Sequence, residues 1–149
     1  MKKLLKQEDS ESISNAGFDG AIFYYNKKEM IVRYAGAEVP LFYVDDEFKV
    51  IKGNRQSIGY KKSDANYEFN EYEINVKEGM QFYITTDGYI DQNGGVKGFP
   101  LGKKRFLNIL KECKNSSFRE QKNILVENLQ KYQQNEERND DISVIGIKI

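Results

Sequence analysis

Histidine is absent from this chain of 149 residues, and the absence removes whole classes of chemistry. Without imidazole there is no Ser-His-Asp triad, no Cys-His pair and no His-ligated zinc. The single cysteine, Cys113, excludes a disulfide framework and a thiolate zinc cluster. Neither sign of charge dominates: 23 Lys and Arg face 23 Asp and Glu. Nucleic acid or an anionic membrane surface therefore has no electrostatic claim on the chain. No apolar run is long enough to span a bilayer, and the basic start "MKKLLKQEDSESIS" lacks the apolar centre of a signal peptide. Only two prolines occur, and there is no Pro-rich linker, repeat or low-complexity block. A reducing, cytoplasmic setting is expected. What remains for catalysis is carboxylates, Lys, Tyr, hydroxyls, or a hard ion such as Mg²⁺ or Mn²⁺ held by oxygen.

With 39% hydrophobic residues the chain can bury one core. Residues 1–16 are polar and charged and read as a disordered end or a helix remnant. Strands are expected at Gly20–Asn26 and Glu29–Ala37, joined by a tight hairpin at "NKK", then at Pro40–Asp46 and Glu47–Gly53 around an acidic turn. Asn70–Met80 alternates apolar and polar residues as a half-buried strand does, and Met80–Thr86 follows a Glu-Gly turn. The period then changes. Lys103–Cys113 and Phe118–Gln133 carry apolar residues three and four apart, which predicts two helices, with "NSS" available to cap the second. Asp141–Ile149 reads as a closing strand. Strands, two helices and a returning strand make an α+β domain.

Two acidic motifs stand at the mouths of apolar strands. In "FYITTDGYIDQNGG" Asp87 follows a β-branched run, and Gly88 permits a tight turn that leaves the carboxylate unobstructed. An Asp-Gly hairpin turn reads the same way. In "ERNDDISVIGIKI" Asp140 and Asp141 precede the last strand, where alternation would point them to opposite sides. A charged strand end that discourages edge pairing is the plainer account. Brought together, two carboxylates on rigid strand ends suit Mg²⁺ or Mn²⁺, and such an ion can activate water for attack on phosphorus.

Five collinear segments carry a family resemblance. "GFDGAIFYYN" resembles "GMDxALxxxD"; "YAGAEVPLFYV" resembles "xAGAxxPLYLV"; "RQSIGY" resembles an "xxPIGx" turn with Ser57 in place of proline. "EGMQFYITTDGYIDQNGG" is similar to "xGDxxYLYTDGxxDQxGG", with Met80 for the common aspartate, and "NDDISVIGIKI" to "xDDITVIGIxI". From about Gly17 to Ile149 the chain resembles the later part of the sporulation-stage-II-protein-E-like bacterial phosphatases. These lie within the PPM (type 2C, metal-dependent) serine/threonine protein phosphatases.

The resemblance implies a partial PPM-type fold: antiparallel sheets in a β-sandwich, flanked by two C-terminal helices, over residues 17–149. It implies a dinuclear Mn²⁺ or Mg²⁺ centre in the complete domain, with Asp87 and Asp140 as ligands and Asp141 as second choice at the latter site. Asp19 fits a family position at the start of a strand, not a ligand. The family's "GDxxD" and "DxxGHG" motifs are missing, so metal binding is expected to be weak or absent and the isolated chain inactive. The implied activity is hydrolysis of protein phosphoserine or phosphothreonine by metal-activated water. The implied partner is a phosphorylated regulatory protein, such as an anti-sigma-factor antagonist. The alternative is a non-catalytic phosphatase-like domain used for binding or scaffolding. A sheet short of its leading strands should expose apolar faces, which predicts a homodimer or aggregation.

Overall fold

The computed structural model describes residues 15–149. The elements run β1 (Gly20–Asn26), β2 (Ile31–Ala37), β3 (Leu41–Asp45), β4 (Glu47–Ile51), β5 (Tyr72–Asn75), β6 (Gln81–Thr85), α1 (Asp87–Ile90), β7 (Asn93–Gly94), β8 (Phe99–Pro100), α2 (Gly102–Cys113), α3 (Phe118–Gln133) and β9 (Val144–Lys148). The expected α+β class with antiparallel sheets is what forms. Two compact units divide it. One holds the described residues up to Leu41, with Val50–Met80 and Ile149; the other holds Phe42–Lys49 and Gln81–Lys148.

The first unit is built on an antiparallel sheet in the order β1-β2-β5. Its opening hairpin turns at 27–30, where the Asn26 side-chain oxygen accepts bonds from the Lys28 and Glu29 backbone N–H groups at 3.0 and 3.3 Å. Met30 takes the left-handed conformation (φ 53°) that closes the turn. Alternation then buries Val32, Tyr34 and Ile74. The aromatics of these strands differ in burial. Tyr34 is buried, whereas Tyr24 is 55% exposed beside Ile22 at 72%. Strand β5 also stops well short of the Asn70–Met80 expectation, because Lys77–Gly79 turns into Met80. The reading of residues 1–16 falls outside the described residues except at Asn15 and Ala16.

The second unit contains most of a four-stranded sheet, β4-β3-β6-β9, and helices α2 and α3. Strands β6 and β9 pair antiparallel, with Phe82 opposite Ile147 and Thr85 opposite Val144. Both expected helices form. In α2 the apolar positions Phe106, Ile109, Leu110 and Cys113 recur at three and four and are buried. Helix α3 starts on a capping box: Ser117 Oγ accepts from the Glu120 N–H, and the Glu120 carboxylate accepts from the Ser117 N–H at 2.9 Å. Leu125 and Leu129, one turn apart, join Phe42, Tyr83, Tyr89, Phe106 and Leu110 in one core. Phe106 meets Phe42 and Tyr89 edge-on, with ring centres 5.1 and 5.0 Å apart. Burying each such leucine contributes about 1.5–3 kcal/mol, which fixes the helices that stand behind the loops at the end of β6.

Candidate metal-binding site

The Thr-Thr pair explains itself first. Thr85, at the end of β6, is buried and sends its hydroxyl to the Ser143 carbonyl at 3.1 Å. Thr86 donates its N–H to the same carbonyl at 3.0 Å, and its hydroxyl donates to the Asp141 carbonyl and accepts from the Ser143 N–H, both at 3.0 Å. The two threonines thus fasten the end of β6 to residues 141–143, the segment that leads into β9.

Asp87 does not sit in a hairpin turn. It opens α1, a single helical turn for which Thr86 is the N-cap, closed by the Asp91 N–H donating to the Asp87 carbonyl at 2.8 Å. Its side chain is exposed. Gly88 then passes hard against the opposite segment: a Cβ there would lie 2.4 Å from the Asp141 carbonyl oxygen and 3.3 Å from the Asp140 carbonyl carbon. Only glycine leaves room. The glycine of "TDG" therefore serves close approach of two backbones, and the approach brings the Asp87 helix onto the Asp140–Asp141 peptide.

Asp140 and Asp141 lie ahead of β9, which begins only at Val144. The alternation argument for these two residues consequently fails; local contacts set their roles instead. One Asp140 carboxylate oxygen accepts from the Asp141 N–H at 2.7 Å, and the Asp141 backbone carbonyl is taken by Thr86. Both side chains are exposed. Asp19 lies in the other unit, just before β1.

As a donor set, Asp87 and Asp140 fit a hard divalent ion in kind, since carboxylate oxygens are what Mg²⁺ and Mn²⁺ prefer. They fall short in number. No group of three or more acidic or thiol side chains that could hold a metal occurs among the described residues. Sequence reasoning missed the residues that hold the acidic segments in place: Thr85, Thr86, Gln92 and Asn139. Thr86 and Gln92 stand at explicit letters of the resembled "TDGxxDQxGG" motif without a role attached to them, and Thr85 and Asn139 carried no signal beyond polarity. Of the basic residues in 97–105, Lys97 lies between β7 and β8 and Lys103, Lys104 and Arg105 lie in α2. Asn93–Gly94 pairs with Phe99–Pro100 in a small hairpin, and Arg105 donates to the Leu101 carbonyl and lies over the Tyr132 ring. A cavity of about 380 Å³ in this unit is lined mainly by apolar side chains such as Tyr83, Leu125 and Val144 and includes neither Asp87 nor Asp140.

The model of the stage II sporulation protein E (SpoIIE) family matches residues 3–149. Among solved structures, the SiaA-PP2C domain of Pseudomonas aeruginosa is 26% identical with a TM-score of 0.83, over 99% of this chain and 56% of that one. The PP2C phosphatase domain of SpoIIE from Bacillus subtilis, solved with a fragment of its regulatory domain, shares the fold. It gives a TM-score of 0.67 at 14% identity, over 99% of this chain and 42% of that one. RsbX in complex with magnesium shares the fold too, with a TM-score of 0.57 at 17% identity, over 87% of this chain and 55% of that one. The chain thus spans about half the length of the solved structures it matches. No curated protein matched the sequence. No helix of the described residues is long and apolar enough to cross a membrane.

Proposed function

The chain belongs to the stage II sporulation protein E family of PP2C-type phosphatase domains, and from that premise we propose that it is part of a metal-dependent phosphatase acting on protein phosphoserine or phosphothreonine. One observation carries the reading: Asp87 and Asp140 stand on two segments that Thr86 and Gly88 hold in direct contact. In this proposal both carboxylates are ligands to Mn²⁺ or Mg²⁺, with Asp141 contributing its backbone to the clamp. Crystals of RsbX with magnesium and of SpoIIE presoaked in manganese support the choice of ions. When bound, such an ion would lower the pKa of a water and orient it toward phosphorus. This chain's own part is to offer two acceptor carboxylates in fixed relation. With no histidine, this chain itself supplies no imidazole acid or base.

Two carboxylates alone hold Mg²⁺ or Mn²⁺ weakly, because the ion otherwise keeps its waters. We therefore expect weak Mn²⁺ binding and negligible turnover from these residues by themselves. Given a segment carrying the family's GDxxD and DxxGHG motifs, Mn²⁺-dependent hydrolysis of a phosphoserine peptide should appear. Asp87→Asn and Asp140→Asn should each abolish it. Full activity in either variant would sink the assignment. The proposed substrate is a phosphorylated regulatory protein of the anti-sigma-factor-antagonist kind, in the cytoplasm, where the lone thiol of Cys113 stays reduced. The second reading, a non-catalytic binding or scaffolding domain, draws on the shortage of donors among the described residues. Self-association is also proposed, on the exposed Ile22 and Tyr24 of β1; light scattering on a Tyr24→Lys variant tests it.

A further inference from the structure

Asp140 lies in a stretch, 134–143, that has no regular secondary structure, so its position depends on what ties that stretch down. On the β9 side the ties are Thr85, Thr86 and Gly88, already described. On the other side the chain runs out through Glu137, Arg138 and Asn139, all exposed. One buried side chain reaches them. Gln92, two residues past the end of α1, is 0% exposed. Its amide nitrogen donates to the Glu137 carbonyl at 2.8 Å and to the Asn93 carbonyl at 3.0 Å, and its amide oxygen accepts from the Asn139 N–H at 3.4 Å. Its own carbonyl accepts from the Leu101 N–H at 2.9 Å, which anchors the backbone from behind. Asn139 answers in the opposite direction, its side-chain amide donating to the Asp91 carbonyl at 2.7 Å.

These bonds form a continuous chain. Asp87 is joined to Asp91 across the single turn of α1, Asp91 to Asn139, and Asn139 is covalently next to Asp140. We infer that Gln92, with Asn139, is a positioning residue that sets the place of Asp140 relative to Asp87. The inference rests on the metal reading of those two aspartates. Its physical reason is that a buried amide must satisfy both its donors and its acceptor. Among the described residues, every side-chain partner it has, Asn93 aside, lies on the segment before Asp140. A glutamine merely filling core space would have no cause to reach an exposed loop. Supporting groups of this kind hold ligand geometry, and losing one typically weakens metal binding about 10–100-fold.

The test compares the 149-residue chain with Gln92→Leu, Asn139→Ala and the double variant. Mn²⁺ affinity is read from the electron paramagnetic resonance of the free ion, and local opening from amide hydrogen exchange without metal. Gln92→Leu keeps roughly the side-chain size and removes all its polar bonds. It should weaken Mn²⁺ binding about tenfold and speed exchange at Asn139 and Asp141, while the β6–β9 amides stay protected. Asn139→Ala changes an exposed residue and leaves the core intact, so it keeps the test open if Gln92→Leu folds poorly. It should act in the same direction, and the double variant should lose less than the sum of the two. Unchanged exchange over 137–141 in both single variants overturns the inference. So does a uniform loss of stability with Mn²⁺ affinity intact, the mark of a purely structural glutamine. Asp140→Asn in the same binding assay separates the two levels. If it leaves Mn²⁺ binding as it was, the metal reading fails; if it abolishes binding while Gln92→Leu does not weaken it, only the positioning role fails.

Discussion

Replacing Gly88 by alanine tests the central contact of the site with one methyl group. The added Cβ would lie 2.4 Å from the Asp141 carbonyl oxygen and 3.0 Å from its carbon. Both are backbone atoms, so no side-chain rotation relieves the clash. The same carbonyl is held at 3.0 Å by the Thr86 hydroxyl, from the residue two before Gly88. Relief therefore requires α1 to part from the 140–141 segment. Overpacking of this kind costs about 1–3 kcal/mol. At about 2–4 °C per kcal/mol for a chain of this size, the midpoint should fall by about 2–12 °C. Gly146→Ala is the control. Its nearest neighbour would be Phe118 Cζ at 3.4 Å, an ordinary contact, and alanine costs less than glycine inside a strand by about 0.5–1 kcal/mol. That variant should melt at or slightly above the wild-type temperature. Thermal unfolding by circular dichroism decides between them. Gly88→Ala melting with the wild type, or both variants falling equally, would refute the close-approach argument.

Further outcomes are expected from the helices and the core. Ser117→Ala removes one half of the capping box on α3 and should lower stability by about 1 kcal/mol, within a range of about 0.5–2, in urea titration. Burial pushes the Tyr83 hydroxyl up to about 12 from an ordinary 10.0, and pushes Tyr34 and Tyr89 up as well. A group whose folded pKa is raised stabilises fully below its unfolded value and loses that contribution as pH climbs through the folded one. Stability should hold up to about pH 10 and fall toward pH 12, with tyrosinate absorbance of these residues appearing only alongside unfolding. Cys113 is buried, and burial raises its thiol pKa, so it should resist alkylation in the native chain and react at once in denaturant. Fast labelling of the folded protein would contradict its place against the Leu110 carbonyl.

Much of this protein was settled by the sequence alone. Runs of β-branched and aromatic residues bounded by turns placed β1, β2 and β6, and apolar residues three and four apart placed α2 and α3 nearly to the residue, because both patterns are local consequences of backbone geometry. Histidine's absence removed imidazole chemistry before any fold was known. The ordered motifs ending in "TDG" and "DDI" pointed to the family. What stayed illegible depended on partners far along the chain. Nothing near Gly88 says that its neighbour is Asp141, and nothing in "DQNGG" says that Gln92 is buried against Glu137 and Asn139. Alternation misled at Asp140 and Asp141 because β9 had not yet begun there. Local propensity selects an element. Only packing between segments 45 to 58 residues apart fixed which backbone atoms meet at the two aspartates.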